Sequence, residues 1–327
     1  MKQCSILSVI KIQRCLRLWL CRTKNLQIVR YKKTYIHFSD INFFEHNSRN
    51  NNDKFNKKRE DILCCLFNKK IPIEFFNLSL RWKNLSVQID LFLDKLCYIE
   101  NINYENLLCT HNGGRSKKFD FTLLFDKNIK IYIEFKYNAI SLPNIPQFVS
   151  PMKPSHFFNY CYEFFYFENY LKDILVEFDI DISKNDYYKQ IHQTSPKFIK
   201  PLQTKYYNGC KNSSKYTGCY EDINFYEKMK KISKQSINDF IEKYDINIDY
   251  LNDYIQKTQK NKTFMLFKKN CIHLETFELN DLNIVKIIKE PSLNRYIAIT
   301  NSKNNIKILL RWKNGNGIAF PSLQISL

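Results

Sequence analysis

Three charged residues between Gly113 and Lys136 have the types and spacing needed for chemistry on phosphate esters. Asp120 begins one apolar segment, and Glu134 and Lys136 lie two residues apart in the next. Carboxylate oxygens are the ligands that Mg²⁺ and Mn²⁺ prefer, and a bound divalent cation stabilises charge on the attacking and leaving oxygens of a phosphate. We therefore take Asp120, Glu134 and Lys136 as candidate catalytic residues, with Asp120 and Glu134 as candidate metal ligands.

A β-hairpin is predicted to carry these residues. Apolar and polar side chains alternate along FDFTLLF (119–125) and KIYIEFKY (130–137), on both sides of Asp126-Lys127-Asn128. Period-two alternation is typical of half-buried strands. Asn tolerates the left-handed conformation that a three-residue loop requires.

The register of this hairpin follows from the burial of its apolar face. If the two apolar faces share one core, Phe121 must lie opposite an odd-numbered residue such as Ile133. Asp120 then lies opposite Glu134 or nearly so, and Lys136 projects from the same side one pleat along. A two-residue loop would place Asp120 on the wrong face. The apolar pattern and the geometry for metal binding therefore require the same register.

This constellation resembles the PD-(D/E)xK nuclease superfamily, the restriction-endonuclease-like proteins, over about residues 60–170. The resemblance implies that Asp120 is the first acid and that Glu134 and Lys136 form the Glu-x-Lys element. The sequence departs from the pattern at Phe119, where a proline is common. The run SLPNIPQFVSPMKPS (141–155) is also similar to uncharacterised restriction-endonuclease-like proteins of giant DNA viruses, for which no substrate is established.

The resemblance implies an α/β fold, with a restriction-endonuclease-like mixed central sheet in αβββαβ order flanked by helices. It also implies divalent-metal-dependent hydrolysis of DNA, which we expect to be endonucleolytic. The Phe135 carbonyl and Glu60 are further candidate metal ligands, although Glu60 also suits a solvated helix start. Lys136 would position water and stabilise the transition state. The alternative is a catalytically inactive nuclease-fold protein that binds nucleic acid or serves as a scaffold.

The charge balance favours a polyanionic partner, and DNA is the first candidate. The chain has 51 Lys and Arg against 32 Asp and Glu, a formal charge of +19. Such an excess attracts nucleic acid, although the composition of an AT-rich genome also produces it. The candidate contacts to nucleic acid are Arg115, Lys117, Lys118, Gln147 and Lys153, with solvated loops as the alternative.

The N-terminal segment has a separate signal. Residues 1–39 contain nine Lys or Arg and no acid, and residues 12–22 (IQRCLRLWLCR) fit an IQ motif. A basic amphipathic helix of this kind indicates a calmodulin-like partner. A nucleic-acid arm, a membrane-surface helix and an organelle-targeting segment remain open.

Other features indicate an intracellular protein. Eleven cysteines form no C-x-x-C pair and no secretory signal precedes them; we therefore expect reduced thiols. The location would be the cytoplasm or nucleus, or the viral factory or virion if the protein is viral. No apolar run reaches the ~20 residues of a transmembrane segment. Sequence-specific cutting of both DNA strands would favour a homodimer.

Three regions are predicted along the chain. Residues 1–58 form a basic arm with the IQ-like helix and a polar linker, 59–180 the nuclease core, and 181–327 a helical and β-meander elaboration packed on the core. Within them we expect helices at 59–67, 84–97 (capped by Asn84 or Ser86), 157–178, 221–244 and 247–259. The expected strands are 107–111, the hairpin, 262–268, 271–277, 295–300, 306–313 and 318–326. The last five make a C-terminal antiparallel meander, with extension of the central sheet left open. His111 is interpreted as a strand-end residue within reach of the site.

Overall fold

The computed structural model describes residues 28–31, 34–45, 52–112, 118–145, 147, 149–193 and 197–327. The IQ-like segment, Arg115 and Lys117 lie outside the described residues. The chain divides into two compact units, residues 1–144 with 261–276 and residues 145–260 with 277–327. These units differ from the three regions expected from the sequence, because two late strands join the first unit.

The helices in chain order are α1 (Asn52–Phe67), α2 (Ile73–Leu78), α3 (Leu80–Ile99), α4 (Tyr162–Tyr166), α5 (Lys172–Glu177), α6 (Lys184–Gln190), α7 (Lys200–Gly209), α8 (Tyr220–Lys243) and α9 (Ile248–Gln259). A π-helical turn, Phe167–Leu171, joins α4 to α5. The strands are β1 (Ile28–Tyr31), β2 (Thr34–Ile36), β3 (Leu107–His111), β4 (Phe121–Phe125), β5 (Ile129–Tyr137), β6 (Val149–Met152), β7 (Lys262–Lys268), β8 (Cys271–Glu275), β9 (Ile284–Glu290), β10 (Arg295–Thr300), β11 (Asn305–Trp312) and β12 (Pro321–Ser326). Short 3₁₀ helices include Phe38–Phe44 and Pro154–His156.

The first unit contains a mixed sheet of five strands in the order β3-β4-β5-β7-β8. Strand β3 is antiparallel to β4, β4 is antiparallel to β5, β7 is parallel to β5, and β8 is antiparallel to β7. Apolar side chains of α1 and α3, such as Ile62 and Phe92, share one core with Phe121 and Ile133 from the sheet. The expectation of a mixed α/β sheet flanked by helices is confirmed.

The predicted hairpin has the expected register. Phe121 pairs with Ile133 and Phe125 pairs with Ile129, so the turn contains three residues. Phe121, Leu123 and Phe125 are buried, whereas Thr122 and Leu124 are half-buried.

The conformation of the hairpin turn differs from the expectation. Asp126 and Lys127 have positive φ angles of 43° and 64°. The left-handed conformation expected for Asn128 was a wrong prediction, because its φ is not positive. The carboxylate of Asp126 accepts hydrogen bonds from the backbone N–H groups of Glu105 and Asn106, at 3.2 Å and 2.8 Å. These contacts to the segment before β3 hold the aspartate in a conformation that its short polar side chain tolerates.

Two helices begin earlier than predicted. Helix α1 starts at Asn52, inside the segment expected to be a polar linker. Helix α3 starts at Leu80, where the Ser79 side chain accepts a hydrogen bond from the Trp82 N–H, so the predicted caps at Asn84 and Ser86 were wrong. The fully buried Trp82 indole donates to the Phe38 carbonyl at 2.8 Å. This buried contact joins residues that are far apart in the sequence. It allows the helix to begin before the apolar positions from which its start was predicted.

The second unit contains a separate five-stranded antiparallel sheet in the order β6-β12-β11-β10-β9. The predicted C-terminal meander is present as β9 to β12, although β9 was not predicted, while the strands at 262–268 and 271–275 belong to the mixed sheet. The aromatic helix predicted at 157–178 starts later than expected, at Tyr162, and several of its aromatic side chains are buried as predicted, but it belongs to the second unit, whereas we expected it in the nuclease core at 59–180. Its Tyr162 hydroxyl accepts from the Trp312 indole at 2.8 Å.

Within the described part of the chain, no helix is both long and apolar enough to cross a membrane.

The turn contacts give a stability prediction. Asp126→Ala removes the acceptor for two backbone N–H groups and leaves alanine in a left-handed conformation, so we expect the free energy of unfolding to fall by about 1–3 kcal/mol. Asn128→Ala is the matched control, because its φ is not positive; it should change stability by less than about 0.5 kcal/mol. Urea unfolding followed by circular dichroism measures both. Equal effects of the two substitutions would contradict this account of the turn.

Candidate active site

Backbone hydrogen bonds on two sides fix Asp120 at the start of β4. Its N–H donates to the Ile133 carbonyl at 2.9 Å, and its carbonyl accepts from the Asn112 N–H at 2.7 Å. The Asp120 carboxylate accepts from the Phe135 N–H at 2.8 Å. Asp120 therefore lies between the end of β3 and the middle of β5, as the register argument predicted.

Glu134 and Lys136 project from β5 and form an ion pair. Lys136 Nζ lies 2.6 Å from Glu134 Oε1. Glu134 is nearly buried, with 7% of its surface exposed, although it lies on the polar side of the strand. The spacing of two residues along a strand places both side chains on one face.

A second lysine, which the sequence did not indicate as functional, reaches the same carboxylate. Lys262 begins β7, and its Nζ lies 3.0 Å from Glu134 Oε2. Parallel pairing of Tyr132 with Lys262 and of Glu134 with Phe264 brings the two side chains together. A lysine at the head of the apolar run TFMLFK (263–268) was a weak signal, but the partner strand was not predictable from it.

Asp120 lies in an unfavourable electrostatic environment for a carboxylate. Burial, followed by the negative charges of Glu134 and Glu60, raises the pKa of Asp120 to about 7, although Lys136 and the Phe135 N–H oppose the shift. The charges of two nearby glutamates therefore disfavour the ionised form of Asp120. Asp120 changes its protonation state near neutral pH.

Glu134 has the opposite behaviour. Burial alone would raise the pKa of Glu134, but the positive charges of Lys136 and Lys262 and their hydrogen bonds to the carboxylate outweigh it, so the pKa is lowered from its ordinary value. Glu134 is therefore ionised at neutral pH, while the adjacent Asp120 is partly protonated.

Glu60 is connected to the sheet through His111. His111 Nε2 lies 2.8 Å from Glu60 Oε2, and Nδ1 lies 3.0 Å from Asp61 Oδ1. A neutral imidazole has a single N–H and cannot donate to both carboxylates. Burial lowers the pKa of His111, but the hydrogen bonds and charges of Asp61 and Glu60 outweigh it and raise the pKa to about 9. His111 is therefore a cation at neutral pH, and its role goes beyond that of the expected strand-end residue.

Contacts in the middle of α1 and just after its last residue place Glu60 next to His111. The Asn68 side chain accepts from the Cys109 N–H and donates to the Cys109 carbonyl, at 2.9 Å and 2.8 Å, which attaches the end of α1 to β3. The fully buried Arg59 donates to the Phe43 carbonyl and stacks on the Tyr137 ring at 3.5 Å. Glu60 is thus held between two fixed points rather than solvated at a helix start.

The donor set suits a hard divalent cation, with one restriction. Glu60, Asp120 and Glu134 supply carboxylate oxygens, and their mutual repulsion at Asp120 is what a cation would relieve. However, no group of three or more His, Cys, Asp or Glu side chains is arranged to hold a metal among the residues that the structure describes. Both oxygens of Glu134 face ammonium groups. Glu134 can therefore bind a metal only if one of the two lysines moves away from a carboxylate oxygen. The Phe135 carbonyl stays a predicted ligand, since the observed contact to Asp120 comes from the Phe135 N–H.

The other predicted residues are placed as follows. Lys118 is exposed and precedes Asp120 by two residues. Gln147 is half-buried and Lys153 is exposed, and both belong to the second unit. Their contacts to nucleic acid stay predictions.

Comparison of the chain with protein-family models, with curated proteins and with solved structures found no match. The resemblance to the PD-(D/E)xK superfamily therefore depends on the residues and geometry described above.

The His111 cluster predicts a pH dependence of stability. Because the folded-state pKa of His111 is about 9 against an ordinary value of 6.5, its stabilisation is complete below pH 6.5 and is lost as the pH rises through 9. We expect wild type to lose about 2 kcal/mol more than His111→Asn between pH 6 and pH 9.5. Urea unfolding at several pH values measures this difference. His273→Asn, on β8 and exposed, is the control; identical pH profiles for wild type and His111→Asn would contradict the prediction.

A substitution at Asp120 is expected to increase the stability of the protein, whereas most substitutions of buried residues decrease it. Its raised pKa means that the penalty on folding is absent below about pH 3.8, grows with pH and is complete above about pH 7. Asp120→Asn can still accept from the Phe135 N–H, so we expect it to increase the free energy of unfolding at pH 8 by about 1–3 kcal/mol. At pH 5 the gain should be smaller. Chemical unfolding at both pH values tests this, with the exposed Asp94→Asn as control; a loss of stability at pH 8 would refute it.

Proposed function

We propose that the protein is a divalent-metal-dependent nuclease that hydrolyses phosphodiester bonds of DNA, and that it acts as an endonuclease. One observation carries the proposal: Asp120, Glu134 and Lys136 come together on adjacent strands of a mixed sheet, in the register that the sequence required. Perturbed carboxylates of this kind are typical of functional sites, because stability alone does not favour them.

The topology of the first unit supports the same proposal. Helix α1 and strands β3, β4, β5 and β7 follow one another in this unit as in the αβββαβ order that the resemblance implies, while the helices between β5 and β7 in the chain belong to the second unit. The fourth strand is parallel to the third. We accordingly propose a restriction-endonuclease-like core for this unit.

The residues divide the work as follows. Asp120, Glu134 and Glu60 would hold Mg²⁺ or Mn²⁺, which when bound stabilises negative charge on the phosphate and the leaving oxygen. Asp120 must be deprotonated to serve as a ligand, so binding should release a proton near neutral pH. Lys136, with 23% of its side chain exposed, can move from Glu134 to orient the attacking water or to contact a phosphate oxygen.

DNA is the proposed partner because of the formal charge of +19. Lys118, two residues before Asp120, is the described basic residue best placed along the chain to contact the phosphate backbone. A calmodulin-like partner through residues 12–22 and a homodimer stay predictions.

The second candidate is a catalytically inactive nuclease-fold protein that binds nucleic acid or serves as a scaffold. The observation that favours it is the double ion pair of Glu134, in which both oxygens already have cationic partners. A carboxylate whose two oxygens both have cationic partners can be stable without a bound metal. Uptake of Mg²⁺ or Mn²⁺ separates the candidates, since an inactive protein would bind DNA without taking up either ion.

Cleavage of closed circular DNA in the presence of Mg²⁺ tests the proposed activity. A closed circle has no ends, so nicking or linearisation also demonstrates endonuclease action. We expect Asp120→Ala and Lys136→Ala to lower the cleavage rate by at least about 100-fold while the protein remains folded, because each removes a group that acts on the reacting phosphate.

Lys130→Ala is the matched control for Lys136, since both lysines lie on β5 and on the same side of the strand. It should retain cleavage. Full activity of either site variant would remove the mechanism. DNA binding by wild type without metal uptake or cleavage would favour the inactive alternative.

A further inference from the structure

Lys262 is far more deeply buried than Lys136, the other lysine paired with Glu134. Its side chain is 1% exposed, against 23% for Lys136, although both ammonium groups lie against Glu134. Burying a lysine is costly unless its charge is balanced. Glu134 is the ion-pair partner of Lys262 among the described residues, with Nζ 3.0 Å from Oε2.

The strand register explains why Lys262 cannot easily change partner. β7 runs parallel to β5, with Lys262 opposite Tyr132 and Phe264 opposite Glu134. The ammonium group also lies 5.2 Å from the centroid of the Phe264 ring, which can contribute a cation–π interaction. The backbone of the sheet thus holds Lys262 beside the Glu134 carboxylate.

The two lysines are not equivalent. Lys136 donates to Glu134 Oε1 at 2.6 Å from a partly exposed position, so it can exchange this carboxylate for a ligand in solvent. Lys262 Nζ lies 3.0 Å from the other oxygen, Oε2, and is almost inaccessible to solvent. If Lys136 leaves, Lys262 still neutralises Glu134.

We propose that Lys262 is the fixed counter-ion and positioning residue of Glu134, and that it keeps this carboxylate charged and oriented while Lys136 moves to the substrate phosphate. This division of roles rests on the proposed nuclease function. Lys262 itself contacts neither DNA nor the reacting atoms. The pairing between Lys262 and Glu134, however, can be measured without metal or substrate.

A double-mutant cycle on the full-length protein tests the pairing. Lys262→Met leaves Glu134 with one counter-ion, and we expect the melting temperature to fall by about 10 °C. Glu134→Gln alone should also destabilise, because it leaves Lys262 buried without its carboxylate. The double variant Glu134→Gln/Lys262→Met should be markedly more stable than the sum of the two losses predicts.

Lys268→Met is the matched control, a lysine at the other end of β7. Combined with Glu134→Gln it should give additive losses. Additive losses for Lys262→Met and Glu134→Gln would overturn the proposal. If Lys262→Met does not fold, a folded double variant supports the pairing and an unfolded one contradicts it.

A second measurement distinguishes positioning from direct contact with DNA. Binding of a fluorescein-labelled 20-base-pair duplex in EDTA should be unchanged in Lys262→Met within about twofold, with the same salt dependence, because a buried lysine releases no counter-ions from phosphate. With Mg²⁺, kcat on circular DNA should fall about tenfold or more, with KM little changed, because Lys136 must then remain with Glu134. Weakened binding with a shallower salt dependence would show that Lys262 contacts phosphate and would refute its role as a fixed counter-ion.

The stability cycle and the DNA measurements test the role of Lys262 and the proposed nuclease function separately. If wild type does not cleave DNA, the proposed function fails, while the stability cycle still reports on Lys262 and Glu134. If wild type cleaves DNA and the cycle is additive, only the role of Lys262 fails.

Discussion

The pairing of Phe121 with Ile133 is the constraint on which the rest of the first unit depends. A shift of one residue would turn Asp120 into the core and Phe121 out of it, since successive side chains on a strand point to opposite faces. The buried phenylalanines of β4 exclude that shift, and the Asp126 carboxylate fixes the turn from outside the hairpin. Packing of the apolar face therefore determines where the acidic residues lie. The candidate chemistry depends on a strand register that is determined by burial of the apolar side chains.

The polar side of the same hairpin has the opposite character. It collects charged groups at low exposure, and their partners compensate for the loss of water only partly at Asp120 but more than fully at Glu134. The Phe135 N–H and Lys136 partly offset the burial of Asp120, and two lysines balance Glu134. On the neighbouring edge, His111 lies between Glu60 and Asp61. Apolar residues of similar volume would often be more stable than buried charged groups, so the presence of these groups is consistent with the proposed site.

Local patterns predicted much of this structure. Strand β3 was expected at 107–111, the hairpin pairing was expected from alternation, and helices close to α8 and α9 were expected at 221–244 and 247–259, because such signals depend on residues close along the chain. The predictions were wrong where contacts between residues far apart in the sequence determine the local structure. The start of α3 depends on Trp82 reaching the Phe38 carbonyl, and the left-handed Asp126 depends on the backbone of Glu105 and Asn106. The strands at 262–275 read locally as part of a C-terminal meander, yet they complete the mixed sheet.

For the site, the sequence by itself determined that Asp120, Glu134 and Lys136 share one face, because a short hairpin with a fixed period of two leaves a single register compatible with its apolar residues. Glu60 was a candidate metal ligand only through the resemblance to the nuclease superfamily. The tertiary structure alone decided that Lys262 reaches Glu134 and that His111 is held between two carboxylates. Parallel pairing of β5 with β7 brings together residues separated by most of the second unit, and docking of α1 on β3 brings Glu60 to His111. Such contacts depend on how whole elements pack, and no local periodicity specifies which strand or helix will be the neighbour.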